Sequence, residues 1–247
     1  MFDSFEAKIN EYIEFHIPEF HKRRLESLSG LKLKEVLKRK NIYLYRAKNV
    51  TTAGDLVKSI LDAFLSSQEE TMFGSFLEGL AIYVCSRIHN GHKSAAEGID
   101  LEFMENGVVY IITIKSGPNW GNSSQINRMV DNFRKAKRIL STNTTGQKVV
   151  AVNGCCYGRE QQADKGDYIK LCGQKFWHFI SDKENLYTDI IEPLGHTAKE
   201  RNEEFAEEYS KCVNVFTKKF IDEFCSPNGS ILWEKIVRLG SSADGKY

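Results

Sequence analysis

Apolar residues fall into helical spacing at both ends of the chain and into strand-like runs between them. Phe2, Phe5, Ile9, Tyr12, Ile13 and Phe15 predict a helix over about residues 2–17, closed off by Pro18. Residues 1–49 read as helical, interrupted at Pro18 and Gly30, with Ile42-Tyr43-Leu44-Tyr45 as a short strand. Leu56, Ile60, Leu61 and Phe64 predict a helix over about 53–65. After Thr71–Ser75 a separate helix carries Phe76, Leu77, Leu80, Ala81, Val84 and Ile88 on one face, with Glu78 in its first turns. Ser123-Ser124 caps a helix with the stripe Ile126, Met129, Val130, Phe133, Ala136 and Leu140. A turn follows at Asn143–Gly146, a buried strand at Lys148–Asn153, and a loop from Gly154 to Gly166. Phe176–Ile180 fits strand or helix, depending on which side Gly173 caps. A long helix runs from Thr197 to about Phe224, a last one starts near Ile231, and the tail frays from Ser241.

The segment Gly98–Gln125 organises the rest. Leu101, Phe103, Val108–Ile112 and Ile114 are strand residues on either side of Asn106-Gly107, the dipeptide best suited to a two-residue hairpin turn. If Glu105 pairs with Val108, Asp100 falls opposite Thr113, and Lys115 lies two residues further along the same face. Acid, hydroxyl and amine then cluster at the open end of the hairpin, with Glu102 one pleat further in. Ile112 and Ile114 point the other way, able to pack under a helix. Taken alone, a carboxylate beside a lysine is equally a surface ion pair of little worth. The small-residue loop Ser116–Ser124, carrying Trp120 and leading into a helix, makes a place that can receive a phosphate.

These residues resemble the active-site core of the PD-(D/E)XK nuclease superfamily, in which an Asp on one strand is followed on the next by an acid-x-Lys. The resemblance runs from about Thr71 onward, through F-G-S-F-L-E (Phe73–Glu78), I-D (Ile99-Asp100), T-I-K-S-G (Thr113–Gly117), G-Q-K-F-W (Gly173–Trp177) and N-G-S-I-L-W (Asn228–Trp233). No block is specific by itself; the ordered set is. It is similar to the Type II restriction endonucleases that cut GGNCC-type sites. The resemblance implies an α/β fold with a mixed central sheet flanked by helices, and additional N- and C-terminal helices. Asp100 and Lys115 take the family's Asp and Lys positions, and Thr113 departs from the usual acid. Glu78 matches the helix acid that replaces it, ahead of Glu102 as second carboxylate.

The resemblance further implies Mg2+, with Mn2+ as substitute, held by Asp100, Glu78 and the Ile114 carbonyl. On the same resemblance the expected substrate is double-stranded DNA, the expected enzyme a homodimer, and its expected functional counterpart a cognate DNA methyltransferase. Asn119, Trp120, Asn122, Ser123 and Gln125 are the candidate DNA contacts, joined by Arg159 or Lys165 for base reading. The expected organisation is a helical arm over 1–52, a catalytic core over 53–195, and C-terminal helices packed on it over 196–247. A repair or junction nuclease, or a DNA-binding protein whose site has decayed at Thr113, are the competing readings.

Composition changes this picture little. A 41% hydrophobic and 27% charged chain is ordinary for a globular protein. No signal peptide and no membrane-spanning run is expected. Six cysteines without a C-x-x-C pair read as buried thiols in a reducing cytoplasm. His89 and His92 lack further metal ligands at suitable spacing and read as loop residues. The net charge of +1 hides ten Lys or Arg against two Glu between Lys22 and Lys48. That segment is either part of a positive cleft or a solvated helical face.

Overall fold

The computed structural model describes residues 4–143 and 147–243. Phe2, all but the first residue of the turn expected at Asn143–Gly146, and the last residues of the tail lie outside them. The elements in order are α1 (Ser4–Ser29), α2 (Leu33–Lys38), α3 (Ile42–Ala47), α4 (Ala53–Ile88), β1 (Leu101–Glu105), β2 (Val108–Lys115), α5 (Ser123–Asn143) and β3 (Lys148–Cys155). They are followed by β4 (Ile169–Cys172), α6 (Gln174–Ser181), α7 (Leu186–Asp189), α8 (Ile191–Leu194), α9 (Ala198–Phe224) and α10 (Trp233–Ser241).

The described residues form two compact units, each discontinuous in sequence. The first comprises residues 1–17 and 73–196, the second 18–72 and 197–247. This division differs from the three consecutive segments expected. The long helices α1 and α4 each pass from one unit into the other, at Ile17/Pro18 and at Met72/Phe73.

In the first unit the four strands form one mixed sheet in the order β1-β2-β3-β4. β1 and β2 are antiparallel, with Glu105 opposite Val108 and Leu101 opposite Ile112, the register expected from the Asn106-Gly107 turn. Both turn residues have positive φ, as such a turn demands. β3 is parallel to β2, and α5 makes the crossover that parallel strands require. The α5 stripe, Met129, Phe133 and Ala136, buries Ile99, Ile111 and Ala151. β4 extends the sheet parallel to β3.

The second unit is helical. Leu37, Leu56, Ile60 and Leu61 from its first segment share one core with Phe216, Phe220, Phe224 and Ile236 from its second.

Three helical assignments differ from expectation. Pro18 does not end α1, which carries it internally and stops before Gly30. Phe5, Ile9, Ile13 and Ile17 are buried on one side of the proline and Leu28 beyond it, so burial holds the helix through a residue that costs about 3 kcal/mol in a helix interior. Ile42–Tyr45 is helical because burial falls on Ile42 and Tyr45, three apart, while Tyr43 and Leu44 are exposed. The helices expected on either side of residue 70 are one continuous α4. Its polar middle has neither glycine nor proline, and the Ser67 and Thr71 hydroxyls donate back to the Ala63 and Ser67 carbonyls, each at 3.0 Å. Glu78 therefore lies well inside a helix, not in its first turns. Gly173 settles the ambiguous aromatic block by preceding α6.

Candidate active site

The hairpin ladder ends at Leu101, one residue before Asp100. In place of a backbone pair with Thr113, the Asp100 amide donates to the Ile112 carbonyl at 2.9 Å. Its Oδ2 accepts the Ile114 amide at 2.7 Å, which fixes the carboxylate beside the end of β2. Lys115 Nζ then lies 3.8 Å from the same oxygen. The ammonium also sits 5.3 Å from the centroid of the Trp120 ring. A cation near an aromatic face is held there by the ring quadrupole.

Trp120 is itself anchored from below, its Nε1 donating to Asn153 Oδ1 at 3.1 Å. Asn153 is buried and pairs with Thr113 across β2 and β3. Asn153 was missed by sequence reasoning. Its signal was a polar side chain within the otherwise apolar run of β3.

Glu78 reaches the same place from α4. One turn earlier Gly74 lets the loop after β2 approach the helix: a β-carbon there would stand 2.6 Å from Ser116 Oγ. Burial raises the Glu78 carboxyl above its ordinary range. The charge of Asp100 raises it further, while Lys93 and Lys115 draw it back. Lys93 Nζ is 4.0 Å from Glu78 Oε1, a neighbour the sequence did not suggest. Glu102 is committed elsewhere, its Oε1 2.9 Å from His92 Nε2 and its Oε2 accepting Ser94 Oγ at 3.1 Å.

Thr113 is 1% exposed, and its Oγ1 has no hydrogen-bond partner. Buried hydroxyls are normally satisfied, so this oxygen has capacity for a further partner. The Ile114 amide faces Asp100, and in extended backbone the carbonyl of the same residue leaves on the same side. Asp100 and Glu78, near enough for their charges to interact, bring carboxylate oxygens of the kind that hard divalent cations prefer.

The loop after β2 has a different local logic from the one expected. Asn122, not Ser123 or Ser124, caps α5: its Oδ1 accepts the Gln125 amide at 3.1 Å, and Gln125 Oε1 accepts the Asn122 amide at 2.9 Å. This reciprocal capping box occupies one polar atom of each side chain. Asn119, Asn122, Ser123 and Gln125 are exposed, whereas Trp120 is turned inward. Lys170 Nζ fixes the loop by donating to the Pro118 carbonyl at 2.8 Å. Arg159 is exposed, and Lys165 is 3.2 Å from Glu160. Much of the basic segment is neutralised locally, with Arg24 on Glu69, Lys34 on Glu223 and Lys38 on Glu35.

Two carboxylates and a lysine thus come together at one end of a mixed sheet. The family model of the Type II restriction endonuclease EcoO109I matches residues 7–202, and the chain belongs to that family. It is a sequence-specific Type II DNA endonuclease. No curated protein matches the chain. Among the described residues no helix is long and apolar enough to cross a membrane.

Proposed function

We propose that the endonuclease uses a PD-(D/E)XK-type site in which Asp100, Glu78 and Lys115 carry the chemistry. The observation behind this reading is the Asp100 carboxylate, held 3.8 Å from Lys115 Nζ while Glu78 senses its charge. Asp100, Glu78 and the Ile114 carbonyl would hold Mg2+, with Mn2+ as substitute. Such an ion, when bound, offsets charge on the phosphate and lowers the pKa of water. Lys115 orients the attacking water or stabilises the negative charge that builds on phosphorus. Thr113 offers its free hydroxyl to a water molecule and supplies no charge, so Glu78 takes the place of the usual strand acid. Asn119, Asn122, Ser123 and Gln125 present exposed polar groups to duplex DNA, while Trp120 positions Lys115.

The substrate is double-stranded DNA carrying a GGNCC-type site, cut by a homodimer whose twofold symmetry matches that of the site. The setting is the cytoplasm, with a cognate methyltransferase protecting the host sites. The test is incubation of a mixed-sequence linear duplex with Mg2+. Wild type yields discrete fragments. Asp100→Ala lowers kcat/KM by about 10³-fold or more, the loss of several kcal/mol of charge stabilisation. Lys115→Ala lowers it by about 10²–10⁴-fold. Wild-type activity in either variant would refute the assignment.

A further inference from the structure

At the turn end of β1, a second group of ligand-type side chains converges. The His89 side chain is only 5% exposed and stacks on Phe103 with ring centroids 4.7 Å apart. Its Nδ1 lies 3.5 Å from Glu105 Oε1 and its Nε2 lies 3.8 Å from Asp182 Oδ2. Both separations are too long for good hydrogen bonds, and the buried Nε2 has no hydrogen-bond partner. One imidazole nitrogen and one oxygen from each carboxylate lie within 4.8 Å of one another. The histidine pair of the H-N-G-H stretch therefore diverges. His92 goes to Glu102, and His89 finds ligand partners that spacing along the chain could not suggest.

We infer that His89, Glu105 and Asp182 form a structural site for a transition-metal dication such as Zn2+, separate from the carboxylates around Asp100. An imidazole suits zinc and its neighbours, whereas Mg2+ takes oxygen ligands. Two carboxylates balance the charge of a dication. Asp182 is exposed, so water can complete a four-coordinate shell. Asp100 and Glu105 bracket β1, and five residue steps of strand separate them by about 16 Å. The three ligands come from different elements: the residue after α4, the last residue of β1, and the residue after α6. A shared ion would tie these together.

The test is calorimetric titration of the chelator-treated full chain with Zn2+ alone as the probe, in excess Mg2+ to saturate the oxygen-ligand site. Wild type binds one Zn2+ per chain, and Zn2+ raises its Tm. Asp182→Asn and Glu105→Gln each weaken binding at least about tenfold, consistent with loss of a direct ligand. Asp100→Ala binds Zn2+ as wild type does. Asp182 is exposed, so its variant keeps the fold, which near-ultraviolet circular dichroism verifies. Absence of Zn2+ binding, or binding that Asp100→Ala removes and Asp182→Asn leaves intact, would overturn the inference.

Discussion

Glu78 holds its charge where the protein makes ionisation unfavourable. Burial and the nearby Asp100 carboxylate raise it, and Lys93 and Lys115 compensate in part. A carboxyl raised on folding contributes stability that is fully present below its unfolded pKa and is lost as pH rises through its folded pKa. At neutral pH the metal-free enzyme therefore carries a penalty that Glu78→Gln removes. The side chain is partly exposed, so the gain stays within about 0.5 kcal/mol, or about 1–2 °C in Tm for a chain of this size. Melting curves with chelator at pH 7.5 should show the variant more stable, and at pH 4 the difference should vanish. On the metal site we propose, added Mg2+ should reverse the order, since it would stabilise wild type and lack one ligand in the variant. A variant less stable than wild type at pH 7.5 without metal would remove Glu78 from the site. That Asp100 and Lys115 come close was legible in the sequence because the two-residue turn fixes the register as far as Leu101, next to Asp100. Glu78 was legible only through the resemblance, since nothing local tells a helical acid near a site from a solvated one.

Elements were readable where one pattern dominated. The hairpin, α5, β3 and α9 each carry a single periodicity, and all formed. α4 was misread as two helices because its apolar stripe lapses where the chain leaves one unit for the other, while the backbone hydrogen bonds continue. β4 has only four residues, too few for a period, and is defined by its neighbour β3. Gly154 shows how that neighbourhood is built. It belongs to β3, not to the loop expected from there onward, because a β-carbon on it would stand 2.1 Å from the Phe176 ring. That ring is fully buried against the sheet and has no open direction to move. Gly154→Ala should destabilise the protein by about 1–3 kcal/mol through overpacking. Urea denaturation should show the midpoint falling, and Gly54→Ala, at a glycine in α4 whose β-carbon would meet nothing within 4 Å, serves as the comparison. An unchanged midpoint in Gly154→Ala would mean that α6 does not press on β3 as described.

At the scale of the whole molecule, no continuous stretch of sequence corresponds to a unit. The second unit closes its core only by joining residues from both ends of the chain, among them Leu37, Leu56, Phe220 and Ile236. Its short helix α3 leaves Tyr43 65% and Leu44 47% exposed, side by side. Apolar side chains gather at the centre of self-pairing surfaces, so these two neighbours are the place to test for one. We propose that the dimer pairs through the N- and C-terminal helices, with these two residues of α3 at its centre. Sedimentation should give wild type a mass twice that of the 28.2 kDa chain. Leu44→Asp places a charge in that centre and should shift the particle to the chain mass, without touching Asp100, Lys115 or Glu78. The separation of roles is visible on supercoiled plasmid. A dimer engages both strands and releases linear product directly, whereas the Leu44→Asp monomer accumulates nicked circles. Linear product from a proven monomer would show that one chain cuts both strands in turn, and a variant that remains dimeric would move the pairing surface away from α3.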